Sequence, residues 1–99
     1  MSSDRIELTD EARTDLREVV GDIVERSPAA GESLRSAIER TVAALALTAP
    51  RMDGVLVGLR DGSDARRVYV HPVAIFYERE PGVLRVLRVY HHAREPIAR

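Results

Sequence analysis

The segment RRVYVHPVAIFYEREPGVLRVLRVYHHAR, residues 66–94, is the part of this 99-residue sequence that decides the fold. It is rich in β-branched, aromatic and aliphatic residues, which suit a pleated, half-buried sheet surface. Turn-forming residues divide it at His71-Pro72 and at Glu80-Pro81-Gly82. Because connections this short allow no crossover, we predict consecutive antiparallel strands over Arg66–His71, Val73–Arg79 and Val83–His91.

The sequence before this segment predicts one short strand and two helices. Residues 5–8 alternate between polar and apolar types, as in an edge or terminal strand. Thr9 has the hydroxyl of a helix N-cap, two acids follow it, and apolar residues then recur at helical spacing to about Arg26. A second apolar stripe continues to about Thr48, where a nearby proline ends the helix.

Residues 51–65 form a glycine-rich connector, and its apolar middle is expected to pack under the sheet or to pair loosely. The element order is therefore β-α-α-β-β-β. Because the two helices are joined by a short loop, they form a hairpin that covers one face of a small, mainly antiparallel sheet. The sequence predicts an α+β fold with a single domain over residues 1–99.

The composition narrows the classes of function. The chain has no cysteine, so disulfides, thiolate metal sites and a cysteine nucleophile are excluded. All 15 basic residues are arginine, so no lysine acts as a catalytic base. Residues 1–50 hold six arginines against ten acids, whereas residues 51–99 hold nine against six, so the sheet half is expected to face an anionic partner. No signal peptide or membrane span is expected, which favours a cytoplasmic protein.

Titratable groups gather at the end of the last predicted strand. Strict alternation there places Leu87, Val89 and His91 on one face, with Arg88, Tyr90 and His92 on the other. Taken singly, each of these side chains is typical of a structural residue. The group of interest consists of Arg67, Arg88, Tyr90, His91 and Arg94. With adjacent histidines on opposite faces and no cysteine, we expect no metal site and no cofactor.

One chemistry that such a group performs is RNA cleavage. His91 would act as acid or base toward the ribose 2′-hydroxyl or the leaving 5′-oxygen. Arg88 and Arg94 would neutralise the pentavalent phosphate. No serine–histidine–aspartate pattern, glycine-rich phosphate loop or paired-carboxylate motif competes with this hypothesis.

Several phrases of the sequence resemble the RelE/ParE toxin superfamily. They are RRVYV at 66–70, AIFY at 74–77 and VLRVYHHARE at 86–95, together with an A-x-x-D-L helix that opens at Ala12. The C-terminal phrase is similar to the end of the ParE branch, although His92 replaces a usual glycine and Glu95 a usual aspartate. The A-x-x-D-L helix, the long hairpin and the missing lysines favour ParE over RelE.

This resemblance implies the toxin of a type II toxin–antitoxin system. A ParE-like toxin would bind and inhibit DNA gyrase, would be neutralised by a ParD-like antitoxin, and would meet operator DNA only through that antitoxin. The expected binding surface consists of Arg66, Arg67, Tyr77, Arg88, His91, His92 and Arg94. Two alternatives remain: a RelE-like, ribosome-dependent mRNA endoribonuclease that uses Arg88, Tyr90, His91 and Arg94, and an inactive homologue that only binds antitoxin.

Overall fold

The computed structural model describes residues 4–47 and 53–91. Within them, two helices pack on one face of a mixed five-stranded sheet, which confirms the predicted α+β fold. The elements are β1 Arg5–Leu8, α1 Asp10–Arg26, α2 Pro28–Leu47, β2 Val55–Gly58, β3 Asp64–Val70, β4 Val73–Glu80 and β5 Val83–His91. The sequence-derived order lacked β2, which forms from the connector and pairs antiparallel with β3.

Both helices begin where side-chain hydroxyls cap them. The Thr9 hydroxyl accepts a hydrogen bond from the Ala12 N–H at 3.0 Å and donates one to the Leu87 carbonyl at 2.7 Å. It therefore caps α1 and ties the start of that helix to β5. Ser27 ends α1 and caps α2, since its hydroxyl accepts from the Ala30 N–H at 3.2 Å.

The strands are arranged in the order β1-β5-β4-β3-β2. β1 runs parallel to β5, and every other neighbouring pair is antiparallel. β5 is thus a central strand although it is the last of the described elements. The turn between β4 and β5 uses Gly82 at a φ of 78°, a left-handed conformation that glycine adopts without a Cβ clash.

A β-bulge at Leu87 changes which residues of β5 share a face. Phe76 pairs with Arg88 whereas Tyr77 pairs with Val86, so Leu87 has no Cα partner on β4. The strict alternation predicted from the sequence is therefore wrong here, because one extra residue reverses the side-chain direction beyond it. Leu87 shares the face of Tyr90, not that of Val89.

The main core lies between the helices and the sheet. Its fully buried members include Ala12 of α1, Val73, Ile75 and Tyr77 of β4, and Leu84 of β5. The opposite sheet face, which we call the open face, has neither of the two described helices against it and carries a smaller cluster. That cluster comprises Leu59, Ala65, Ala74 and Phe76, with Val57, Leu87 and Tyr90 packed around them.

Candidate binding surface

The open face carries a regular array of arginine and tyrosine side chains. Arg67, Phe76 and Arg88 pair in one row across β3, β4 and β5. Tyr69, Ala74 and Tyr90 pair in the next row. Because neighbouring strands lie about 4.8 Å apart, the two arginines project from positions roughly 10 Å apart, as do the two tyrosines. We call Arg67, Tyr69, Arg88 and Tyr90 the Arg–Tyr surface.

In each half of the Arg–Tyr surface, a guanidinium lies over the tyrosine two residues further along its strand. The Arg67 Cζ atom is 5.0 Å from the centre of the Tyr69 ring, and the Arg88 Cζ atom is 4.7 Å from that of Tyr90. Such cation–π contacts orient both groups. Tyr69 remains 55% exposed. Arginine and tyrosine held in this way are typical of protein interfaces, where both residue types are enriched.

The orientation of Arg88 depends on an aspartate of α1. Its Nε donates to Asp15 Oδ2 at 2.8 Å and its Nη2 to Asp15 Oδ1 at 3.1 Å. Asp15 Oδ2 also accepts from the Val89 N–H at 3.0 Å. The hydrogen bonds to Asp15 raise the pKa of Arg88, so this guanidinium stays charged and fixed over Tyr90.

Asp15 is a functional candidate that the sequence analysis quoted only as part of the A-x-x-D-L phrase. Ala12 and Leu16 of that phrase pack in the main core, and this packing presents Asp15 to β5. β1 pairs with β5 only as far as Val86, so α1 meets the free edge of β5 beyond that point. The Asp15 carboxylate therefore accepts the hydrogen bond of the Val89 N–H that a neighbouring strand would otherwise accept.

His91 does not share a face with Arg88 and Tyr90. It pairs with Val73, whose side chain lies in the main core on the helix side. His91 is exposed at the end of β5. The sequence analysis grouped these three residues as one cluster, whereas the register separates the histidine from the other two. His92 and Arg94, also predicted for the binding surface, lie outside the described residues.

Tyr77 was wrongly assigned to the binding surface, because its side chain is 0% exposed. Its hydroxyl accepts from the Gly54 N–H at 2.8 Å and donates to Asp53 Oδ1 at 3.0 Å. Burial raises the pKa of Tyr77. The alternating pattern of β4 is compatible with either face, and packing against the helices selects the inner one.

Arg66 lies close to this buried hydroxyl and is only partly available. Its Nη1 donates to the Gly54 carbonyl at 3.0 Å, and its Nε lies 3.5 Å from Asp53. Arg79 makes the closer contact to Asp53, with its Nε 2.6 Å from Oδ1. Arg66 therefore supports the start of β2, and the exposed 39% of its side chain contributes positive charge there.

The other end of the open face is neutralised by its own ion pairs. Arg85 contacts Glu78 at 2.8 Å, Glu80 at 3.0 Å and Glu7 at 3.2 Å. These carboxylates raise the pKa of Arg85, and its hydrogen bonds lower that of Glu80. The charge of Arg85 is thus balanced by carboxylates of its own chain.

A cleft of about 410 Å³ adjoins the Arg–Tyr surface. Leu87 provides an apolar part of the cleft lining, and Arg88 belongs both to the cleft and to the Arg–Tyr surface. Its lining is formed by Thr9, Glu11, Leu59, Arg60, Asp61, Ser63, Glu78, Leu87 and Arg88. The lining contains three acids and two arginines, so the cleft suits a mixed protein surface better than a uniformly anionic polymer.

The comparison with protein families agrees with the fold and with the sequence phrases that resemble the RelE/ParE superfamily. The model for the ParE toxin of the type II toxin–antitoxin system parDE matches residues 6–96. The chain belongs to the ParE toxin family. A search of the curated proteins found no match. The family match spans β1 to β5, so the Arg–Tyr surface and Asp15 lie within the matched region.

Membership of the ParE family identifies this chain as the toxin of a toxin–antitoxin system and implies an antitoxin partner. Among residues 4–47 and 53–91, no three histidine, aspartate or glutamate side chains are grouped to hold a metal ion. Neither helix in the described part of the chain is long and apolar enough to cross a membrane.

Proposed function

We propose that this toxin acts in the cytoplasm by binding DNA gyrase and inhibiting it, and that a ParD-like antitoxin neutralises it. The match of residues 6–96 to the ParE toxin model carries this proposal. Gyrase inhibition is the activity that the ParE resemblance implies. In the same proposal, the toxin meets operator DNA only through the antitoxin.

The Arg–Tyr surface supports a binding mechanism over RNA cleavage. A phosphate clamp needs a guanidinium that turns toward the substrate, whereas Arg88 is held by both oxygens of Asp15. Burial raises the pKa of Tyr90, so this phenol stays protonated at neutral pH and is a poor general base. His91 shares its face with Val73 and not with Arg88.

The experiment that tests the proposal is a supercoiling assay with purified toxin, gyrase and relaxed plasmid. We expect inhibition of supercoiling and accumulation of cleaved plasmid, and we expect purified antitoxin to reverse both effects. A toxin that binds its antitoxin yet leaves gyrase unaffected would contradict the gyrase assignment and would favour the inactive homologue.

A parallel assay with ribosomes and mRNA examines the nuclease alternative. We expect no cleavage by the wild-type toxin. Ribosome-dependent cleavage that Arg88→Ala and His91→Ala each abolish, and that Arg13→Ala on the exposed face of α1 retains, would overturn the binding mechanism. Arg13 is the matched control because it is an exposed arginine outside the Arg–Tyr surface.

A further inference from the structure

The two edges of the sheet differ in the chemistry of their side chains. The β1 edge carries Arg5 and Glu7, which form an ion pair at 2.7 Å. β2, at the other edge, has the uncharged sequence VLVG, in which Val55 is 65% exposed and Leu56 is 59% exposed. Native edge strands usually carry charges, prolines or bulges that prevent further pairing. An uncharged, exposed apolar edge therefore indicates a strand that pairs with another chain.

The hydrogen bonds between β2 and β3 show which backbone groups of this edge point outward. The Leu59 N–H donates to the Ser63 carbonyl at 2.8 Å, so Leu59 faces β3. Because inward and outward residues alternate in an antiparallel ladder, Val57 also faces β3. Leu56 and Gly58 therefore direct their N–H and C=O groups away from the sheet, where a further strand can bind them.

We propose that a second copy of this chain pairs with this edge, so that the two β2 strands run antiparallel across a two-fold axis. The axis passes beside Val57, and Leu56 of each copy lies opposite Gly58 of the other. Each of these Leu56–Gly58 pairs exchanges both of its N–H···O=C bonds, so the register uses all the outward backbone groups of β2. Since residues opposite one another share a face, the two sheets become one, with both Arg–Tyr surfaces on the same side.

The side chains of β2 are complementary to those of a second copy in this register. On one face, Leu56 lies beside Gly58 of the second copy, where the absence of a glycine side chain leaves room for the leucine. On the open face, Val57 meets Val57 of the second copy directly, and Val55 lies diagonal to it, within reach of apolar contact. Pairing thus removes the exposed apolar surface of Val55 and Leu56 from water, which favours association.

The charges beside the edge are complementary in the same register. Arg66 and Asp64 of β3 pair with Leu56 and Gly58 of β2, respectively. The Arg66 side chain is 39% exposed, and Asp64 is exposed. Leu56 opposite Gly58 of the second copy therefore places Arg66 in one row with Asp64 of that copy. A register with Leu56 opposite itself would instead bring two Arg66 side chains into one row, and like charges disfavour that arrangement.

The length of the edge sets the strength of the dimer. β2 has four residues, so the pairing buries far less than the roughly 800 Å² per partner of a standard stable interface. We therefore expect a weak dimer with a dissociation constant on the order of 10–100 µM. The inference depends on the sheet edge alone, so it stands or fails separately from gyrase as the target.

Disulfide cross-linking tests the register directly, because the chain has no cysteine of its own. Val57→Cys places two thiols in a pair without main-chain hydrogen bonds, whose Cα atoms lie about 4.5 Å apart, within the range of disulfides. Val55→Cys is the matched control. Val55 is an exposed residue of the same strand, but in this register its two copies lie more than about 13 Å apart, too far for a disulfide.

The two cysteine variants are oxidised with oxidised glutathione as concentrated, purified full-length toxin without antitoxin. We expect Val57→Cys to form a disulfide-linked dimer on a denaturing gel, and Val55→Cys to form at least about tenfold less of it. Absence of the Val57→Cys dimer would overturn the proposal. Equal cross-linking of the two variants would also overturn it, because random collisions favour the more exposed thiol.

Sedimentation equilibrium of the free toxin gives a second, independent measurement. Over concentrations that span the expected dissociation constant, the apparent mass of wild type should rise from that of the monomer toward twice that value. Leu56→Lys places a charge on the edge and should weaken association by at least about tenfold. Leu47→Lys, the same substitution at a 70% exposed position of α2, should stay within about threefold of wild type.

A wild-type toxin that stays monomeric over the whole concentration range would overturn the proposal. Equal weakening of association by Leu56→Lys and Leu47→Lys would overturn the assignment to the β2 edge. Circular dichroism checks that each variant is folded. If Leu56→Lys does not fold, the comparison of Val57→Cys with Val55→Cys decides the matter.

Discussion

Asp15 of α1 holds Arg88 of β5 through two hydrogen bonds, and a third bond joins the same carboxylate to the Val89 N–H. Asp15 is only 8% exposed, although 73 residues separate it from Arg88 in the sequence. This contact fixes α1 against the central strand and sets the guanidinium over Tyr90. It is therefore the connection between the core and the Arg–Tyr surface.

Replacement of Asp15 by alanine is expected to destabilise the protein. The Val89 N–H and the Arg88 guanidinium would both lose their acceptor, and we expect a loss of about 2–4 kcal/mol in the free energy of unfolding. Urea denaturation measures this loss. Glu18→Ala, at an exposed position on the same helix, should change the stability by less than about 0.5 kcal/mol. Equal effects of the two substitutions would show that Asp15 contributes no more than a surface acid.

Two helical glycines are expected to respond oppositely to alanine. At Gly31 of α2, an added Cβ would lie 2.3 Å from Val24 Cγ2 and 3.1 Å from the Val24 backbone nitrogen. Gly31→Ala should therefore separate the helices and cost about 1–3 kcal/mol. At Gly21 of α1, a Cβ would meet nothing within 4 Å. Gly21→Ala should stabilise the protein by about 0.5–1 kcal/mol, since alanine favours the helix.

Thermal unfolding of the two variants measures both effects in one experiment. We expect the melting temperature to fall for Gly31→Ala and to rise for Gly21→Ala. Similar shifts of the same sign would contradict the close approach of α1 and α2 at Gly31, because helix propensity alone acts equally at the two sites.

The buried phenol of Tyr77 predicts a loss of stability in alkali. Its pKa is raised above the ordinary value of 10.0, chiefly by burial. Between the unfolded and folded pKa values the unfolded chain releases this proton first, so deprotonation favours unfolding. The stability contribution of Tyr77 is thus fully present below pH 10 and is lost as the pH rises through the folded pKa.

Denaturant unfolding of wild type and Tyr77→Phe between neutral pH and pH 11 measures this linkage at about one-unit intervals. We expect the wild-type stability to fall more steeply above the ordinary tyrosine pKa than that of the variant. Tyr77→Phe should also be less stable at neutral pH, because the Gly54 N–H and Asp53 lose their hydrogen-bond partner. If the stability of both proteins falls equally steeply with pH above the ordinary tyrosine pKa, the ionisation of Tyr77 is not coupled to folding. Tyr90, whose pKa burial also raises, is present in both proteins and contributes to the alkaline loss of stability in each.

The exposed ring of Tyr69 is expected to contribute to inhibition of gyrase. Tyr69→Ala removes the most exposed part of the Arg–Tyr surface and should weaken inhibition of supercoiling by about tenfold, as loss of an interface aromatic commonly does. Arg13→Ala, on the exposed face of α1, should leave inhibition unchanged. Wild-type inhibition by a folded Tyr69→Ala variant would place the gyrase contact elsewhere on the toxin.

Local sequence signals predicted most of the elements. Thr9 supplied the cap of α1, proline and glycine marked the turn before β5, and apolar periodicity separated helices from strands. The family match confirmed the ParE resemblance that the terminal phrases indicated. β2 was left open because its four apolar residues show no period that distinguishes an edge strand from a packed loop.

The sequence by itself determined the two helices and the main strands, because these depend on neighbours within one turn or one strand. It also indicated the family, through the phrases at the two ends of the chain. Only the tertiary structure decided how the site is arranged. The bulge at Leu87 assigned residues to faces, packing buried Tyr77, and the approach of α1 paired Asp15 with Arg88. These contacts join residues far apart in the chain, and no local pattern specifies which distant group will satisfy a buried polar atom.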